Sequence, residues 1–198
     1  MRYGTEHKQK TRATVVQAAA NAIRADGPDR VAVAAVMAEA GLTHGGFYAH
    51  FKSKDELIAA AIGQMFEDAR LRLDHATAGR DPAEGLASYI DFYLSKKHRD
   101  ARGFGCPMAA LSSDAPRLAD PARGQFAAGV RQSTARLAGQ LALLGHAEPE
   151  VGARSMIAEL VGALALARME PDAERSDAIL AASRVQLKQR FGTKESQR

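Results

Sequence analysis

The sequence predicts an all-α fold, and three observations carry that expectation. Apolar residues recur at spacings of three and four along most of the chain, no segment alternates with the period of two that a half-buried strand needs, and most Pro and Gly residues fall where one periodic segment gives way to the next. With 198 residues, 46% of them hydrophobic, the chain can bury a sizeable core.

The elements follow in order. Val16, Ala19, Ala20 and Ile23 lie at i, i+3, i+4 and i+7, and Asp26-Gly27-Pro28 closes that helix with a turn. A short alanine-rich helix over 33–40 stops at Gly41. After the stretch at 41–57, Ile58, Ile62, Met65, Phe66, Ala69 and Leu73 form one stripe of a long amphipathic helix. Asp81-Pro82 opens the next helix as N-cap and first-turn proline, carrying Leu86, Ile90, Tyr93 and Leu94. Prolines between 103 and 121 leave room only for short helices. Phe126, Val130, Thr134, Leu137, Leu141 and Leu144 then mark a helix ended by Gly145, and two more span 150–169 and 174–191, broken at Pro171. A polar tail occupies 192–198.

Composition narrows the function. Residues 1–54 hold eight Lys/Arg against four Asp/Glu, leaving 19 against 19 in the remainder, so the whole net charge of +4 is N-terminal. A polyanion-binding head on a neutral body has that asymmetry, although a solvated basic tail has it too. The start MRYGTEHKQK lacks the apolar run of a signal peptide, and no stretch is long and apolar enough to span a bilayer, so a cytoplasmic protein without membrane association is expected. One cysteine excludes an internal disulfide, and no Cys/His spacing suits a metal; no cofactor is expected. No nucleophile elbow, metalloprotease, P-loop or dinucleotide motif is present, so an enzyme is not expected. Asp55-Glu56 and Glu67-Asp68 read as helix-face charges, and His98 and His146 as solvated residues beside helix ends.

GLTHGGFYAHFKSKDEL at 41–57 is the most informative segment. The helix before it, the Gly41-Leu42 turn and a second helix capped by Thr43 have helix-turn-helix spacing. Gly45 and Gly46 weaken that second helix by about 1 kcal/mol each relative to alanine. Phe47 and Phe51, four apart, can compensate by burial against Val16, Ile23 and Val36. A glycine backbone can approach the wall of a DNA groove closely, and with the rings inward, Thr43, His44, Tyr48 and His50 face outward, where hydroxyl and imidazole groups can meet phosphates or base edges. Ser53-Lys54-Asp55-Glu56 is a capping box that starts the next helix, whose N-terminus with Lys54 can receive a phosphate.

From Thr11 to about Ile62, and most closely over 41–57, the sequence resembles the DNA-binding domain of TetR-type transcriptional regulators. The resemblance implies about nine helices: a three-helix DNA-binding head at 1–54 and an effector-binding and dimerisation body at 55–191. It implies a homodimer that represses at a palindromic operator of double-stranded DNA and is released by a small effector, unidentified from the sequence. By position, Thr43, Tyr48 and Lys54 match phosphate contacts of the family, His44, Gly45 and Gly46 lie where bases are read, and His50 matches an exposed site. Val31-Ala32-Val33 departs from the hydroxyl residues that usually open the helix before the turn.

The body adds its own signals. Ile157, Leu160, Val161 and Leu164 cover more than one face of their helix, and Ile179, Ala182, Val185 and Gln186 supply a companion face, which a two-fold four-helix bundle would bury. Phe66, Tyr89, Phe92, Tyr93, Phe104, Cys106, Met108 and Phe126 are the candidate pocket residues, although such side chains also make ordinary core. Cys106 precedes Pro107 at a helix start, with Arg99 and Arg102 near in sequence, so covalent modification by an oxidant or electrophile is an alternative trigger. A non-specific architectural DNA binder is the remaining alternative.

Overall fold

A computed structural model of the chain describes residues 2–192, with side chains from Glu6 onward; of the expected polar tail only Gly192 falls within that range. The described residues contain nine α-helices and no strand: α1 (Arg2–Asp26), α2 (Val33–Glu39), α3 (Lys54–Thr77), α4 (Pro82–Tyr93), α5 (Lys96–Asp100), α6 (Pro107–Leu111), α7 (Asp120–Leu143), α8 (Pro149–Met169) and α9 (Ala173–Arg190). Three short 3₁₀ segments, His44–Ala49, Arg102–Phe104 and Ala115–Arg117, join them.

The breaks have local causes. After α2, Gly41 takes φ +74° and the Leu42 amide donates to Met37 O at 2.9 Å, a Schellman closure that only a residue without a Cβ adopts cheaply. Gly145 repeats it after α7, with the His146 amide donating to Leu141 O at 3.1 Å. At the start of α3 the Ser53 hydroxyl accepts from the Glu56 amide at 3.1 Å, while the Glu56 carboxylate accepts from the Lys52 amide at 2.7 Å. The capping box therefore closes one residue further back than its usual form. Asp81 caps α4 by accepting from the Ala83 and Glu84 amides. No side chain caps α2, as the Ala32 substitution foretells.

One continuous core of buried residues runs from Val15 in α1 to Phe191 after α9. In the body, α7 lies between α3 and α8, and α9 packs on α8 and α4. The approach of α3 to α7 depends on Gly129, because a Cβ there would stand 2.3 Å from carbons of the Phe66 ring. His146 is not solvated: its half-buried ring meets the Phe191 ring at 5.5 Å and its Nε2 lies 3.3 Å from Phe191 O, closing the α7–α8 corner against the end of α9.

A buried ion pair ties α1 to α3. Arg24 Nη2 meets Asp68 Oδ2 at 2.6 Å and Met65 O at 3.3 Å, and Arg24 Nη1 reaches Gly103 O at 3.5 Å. Gln64 donates to the other oxygen of Asp68 at 2.8 Å. Asp68 is thus no helix-face charge, and its partner explains why: burial pushes the Arg24 pKa down, and the Asp68 carboxylate opposes that shift. Asp68→Ala would leave a buried guanidinium without its counter-ion, and urea unfolding should show a loss of about 3–5 kcal/mol.

Candidate nucleic-acid interface

The segment that follows the α2 turn is only six residues long and takes the 3₁₀ form, with the Gly46 amide donating to Thr43 O at 3.0 Å and the His50 amide to Phe47 O at 2.9 Å. Its two glycines and its shortness explain why a regular α-helix does not form. Packing sets its orientation. Phe47 and Phe51, 3% and 1% exposed, stack with centroids 5.6 Å apart inside the cluster that holds Val16, Ile23 and Val36. Arg12 of α1 places its guanidinium 4.7 Å from the Phe51 ring centre, a cation–π contact that seals the outer side.

With the rings inside, the opposite side is open. His44, Gly45, Tyr48 and Ala49 are exposed, Tyr48 to 74%, and a Cβ built on Gly45 would meet nothing within 4 Å. Gly46 is half-buried and leans on Met37, whose Cε would lie 3.6 Å from an added Cβ. Thr43 is exposed and its side chain caps nothing, contrary to the expected cap; its hydroxyl stays available to another partner. Lys54 is not free either, because its ammonium donates to Asp29 O at 3.2 Å across the α1–α2 turn. His50 is half-buried, and its Nδ1 is a buried ring nitrogen with no hydrogen-bond partner among the described residues.

A second feature lies in the body. A cavity with about 120 Å³ of free space opens among α3, α4 and α7. Phe66, Tyr89, Phe92, Tyr93, Cys106 and Met108 border it; Phe104 and Phe126 do not. Phe104 is 60% exposed on its 3₁₀ turn, and Phe126 sits edge-on behind the Phe66 ring at 5.5 Å. Sequence reasoning missed Arg72, Arg136, Gln132 and His98 on the same walls, since only the fold brings polar positions of α3, α5 and α7 together. Burial raises the pKa of Tyr89 and Tyr93, so both hydroxyls stay protonated even in mildly alkaline solution, and among the described residues the Tyr93 hydroxyl has no partner in hydrogen-bond geometry, with the Cys106 thiol beside it.

His98 is buried rather than solvated. Its Nδ1–H donates to Tyr93 O at 2.7 Å and its Nε2 accepts from the Cys106 amide at 3.0 Å, while Phe92 stacks on the ring at 5.2 Å. Those two bonds together fit only the neutral ring, and burial lowers its pKa to about 4, with the Arg168 and Arg72 charges acting in the same direction. The cations near Cys106 are Arg24 and Arg168, not Arg99, which is bound to Asp100, Asp177 and Ser176.

On the far side of the body, Leu160 and Leu164 are buried within the subunit and cannot also meet a partner. Apolar residues cover more than one face of their helix because one side meets this core, and apolarity alone does not mark which side that is. Ile157, Val161 and Ile179 are half-buried, whereas Ala182, Val185 and Gln186 are exposed. The exposed apolar positions of α8 are Val151, Ala158, Leu166 and Met169, beside the open Gly162.

Residues 15–61 match the family described as bacterial regulatory proteins, tetR family. The uncharacterized HTH-type transcriptional regulator YfiR of Bacillus subtilis (strain 168) is 27% identical over 86 residues, which span 43% of this chain and only 42% of that protein. Among solved structures, a TetR transcriptional regulator from Chloroflexus aurantiacus J-10-FL superposes with a TM-score of 0.80 at 23% identity, covering 96% of this chain and 98% of that one. The reduced form of NemR from E. coli gives 0.79 at 20% identity over 91% and 97%, and a TetR-family regulator from Cytophaga hutchinsonii gives 0.79 at 18% over 97% and 98%. These likenesses establish the fold along nearly the whole chain.

The His98 geometry has a pH consequence. An unfolded histidine takes up a proton near its ordinary value of about 6.5, whereas the folded ring resists to about 4. Stability from this site is therefore complete above pH 6.5 and falls as pH drops towards 4, by on the order of 3 kcal/mol. Urea unfolding at pH 7 and pH 5 should record part of that loss, and His98→Gln should flatten this component.

Proposed function

We propose that this chain, a TetR-family transcriptional regulator, is a repressor that binds a palindromic operator as a homodimer and is released when a small effector enters the α3–α4–α7 cavity. The observation that carries the DNA-binding half is the two-sided recognition segment, with Phe47 and Phe51 buried and Gly45 open. In this reading residues 1–54 are the head and 55–191 the body. Thr43 and Tyr48 contact phosphates, His44, Gly45 and Gly46 lie against base edges, and His50 flanks them. Lys54 acts by fixing the α1–α2 turn against α3, with a phosphate as a second partner of its ammonium.

Dimerisation uses the exposed side of α8 and α9, where Ala158, Gly162, Leu166 and Met169 face Ala182, Val185 and Gln186 of a second copy, with Ile157, Val161 and Ile179 at its margin. Four helices so packed hold two heads at a fixed separation and so match half-sites about one helical turn or slightly more apart. The effector acts through its differential affinity for the two arrangements of the heads, and a 100-fold release requires about 2.7 kcal/mol of coupling.

Covalent modification of Cys106 is a second reading, favoured by the thiol bordering the same cavity. N-ethylmaleimide adds the thiol across its double bond; it should then release DNA from the wild type and leave the Cys106→Ser complex intact. Equal release from both would exclude the thiol as the trigger.

Fluorescence anisotropy on a palindrome from the neighbouring promoter, with salt and competitor DNA varied, tests the main reading. Specific binding should survive competitor DNA, whereas an architectural binder would lose it. Gly45→Leu should leave the thermal midpoint unchanged or higher and weaken operator binding by roughly tenfold or more, about 1.4 kcal/mol. Val185→Arg combined with Met169→Lys should shift sedimentation equilibrium from two chains to one and abolish operator binding at nanomolar protein.

A further inference from the structure

We propose that the effector is a small aromatic carboxylate, its ring among Phe66, Tyr89 and Met108, its acid group on Arg72, and one of its oxygens on the Tyr93 hydroxyl. The inference rests on the reading of this cavity as the effector site.

Charge around the cavity singles out Arg72. Arg70 lies between Glu67 and Asp74, and Arg136 meets Asp74 at 2.7 Å, so two guanidiniums and two carboxylates neutralise one another at the rim. Arg72 is half-buried on the cavity wall and donates to the carbonyl of Phe104; among the described residues it has no carboxylate partner. A guanidinium carries five N–H donors, and one partly removed from water without a counter-ion favours an anion beside it. With a single cation on the wall that lacks a carboxylate among the described residues, a monoanion fits better than a dianion, and an amine is disfavoured.

The Tyr93 hydroxyl adds a second, independent pointer. The residue is 3% exposed, its side chain borders the cavity, and among the described residues its oxygen meets no partner in hydrogen-bond geometry, with only the weakly bonding Cys106 thiol beside it. A buried hydroxyl in that state is destabilising until a ligand oxygen meets it. Size and shape complete the class. Free space of about 120 Å³ is close to the ~150 Å³ cavity known to admit benzene, and aromatic walls suit a flat ring better than a long acyl chain.

Calorimetric titration of the full chain with benzoate, salicylate and 4-hydroxybenzoate, against neutral benzyl alcohol, tests the assignment. At least one acid should bind one per subunit, and at least tenfold tighter than the alcohol. Arg72→Gln should abolish that preference, Arg72→Lys should keep it, and Tyr93→Phe should weaken the same acid several-fold without changing the preference for charge. If the alcohol binds as tightly as every acid, or no acid binds at millimolar concentration, the proposal is overturned; should Arg72→Gln fail to fold, the wild-type and Arg72→Lys titrations decide. Operator anisotropy in the same samples separates the two readings. An acid that binds at Arg72 without releasing DNA sinks the effector role but not the site, and a neutral aromatic that releases DNA sinks this assignment but not the repressor.

Discussion

A six-residue 3₁₀ segment with two glycines and no side-chain cap cannot hold its own shape, so the head depends on the burial of Phe47 and Phe51. Two glycines cost about 1 kcal/mol each relative to alanine, and each ring returns about 1.5–3 kcal/mol on leaving water. Burial outweighs the helix cost, and it also fixes rotation. With both rings held by α1, α2 and α3, the opposite side has no freedom to turn inward. Exposure of His44, Gly45 and Tyr48 is therefore a consequence of the core, not a separate feature of the surface. The Arg12 guanidinium over Phe51 extends the same anchor back to α1.

The supports of that anchor are α3, which runs on from it and packs against α1, and one short loop that both helices reach. Arg24 of α1 reaches Gly103 O, Arg72 of α3 donates to Phe104 O, and the Cys106 amide donates to His98. Residues 103–106 thus touch the head on one side and the cavity wall on the other. The Arg24–Asp68 pair lies directly beneath, with the Nε of Arg24 buried and unpartnered. A neutral, fully bonded His98 stiffens this loop at physiological pH, since both of its ring nitrogens are engaged.

Much of this was legible in the sequence, and the residues that were not share a cause. The helix ends were readable because Gly41, Gly145, Ser53 and Asp81 act on their own backbone neighbours. The rings and glycines of 41–57 were readable because helical spacing alone puts Phe47 and Phe51 on one side. Asp68 and His98 were misread because each is paired with a group more than one element away or behind a turn that spacing does not describe. Phe104 was placed in the pocket for its size, but its 3₁₀ turn directs it to solvent. Leu160 and Leu164 were assigned to the partner for their apolarity, which cannot distinguish the subunit's own core from a second copy. Gly129 gave no signal at all, since its role is the absence of a Cβ beneath Phe66.

The exposed side of α8 follows from that same two-sidedness. Leu160 and Leu164 are spent on this subunit's core, yet Val151, Leu166 and Met169 are still more than half exposed. Monomeric proteins seldom leave such a row bare. Along it, Gly162 is open and Ala158 is small, so a second helix backbone could approach closely there, while Val185 on α9 supplies bulk beside it. A small-residue centre flanked by larger apolar groups would suit a second copy of the same face about a two-fold axis, as in the proposed dimer. In the proposed dimer α8 and α9 form the seam, whereas the cavity is bordered by α3, α4 and α7, so these would be the helices through which the proposed effector acts on residues 1–54.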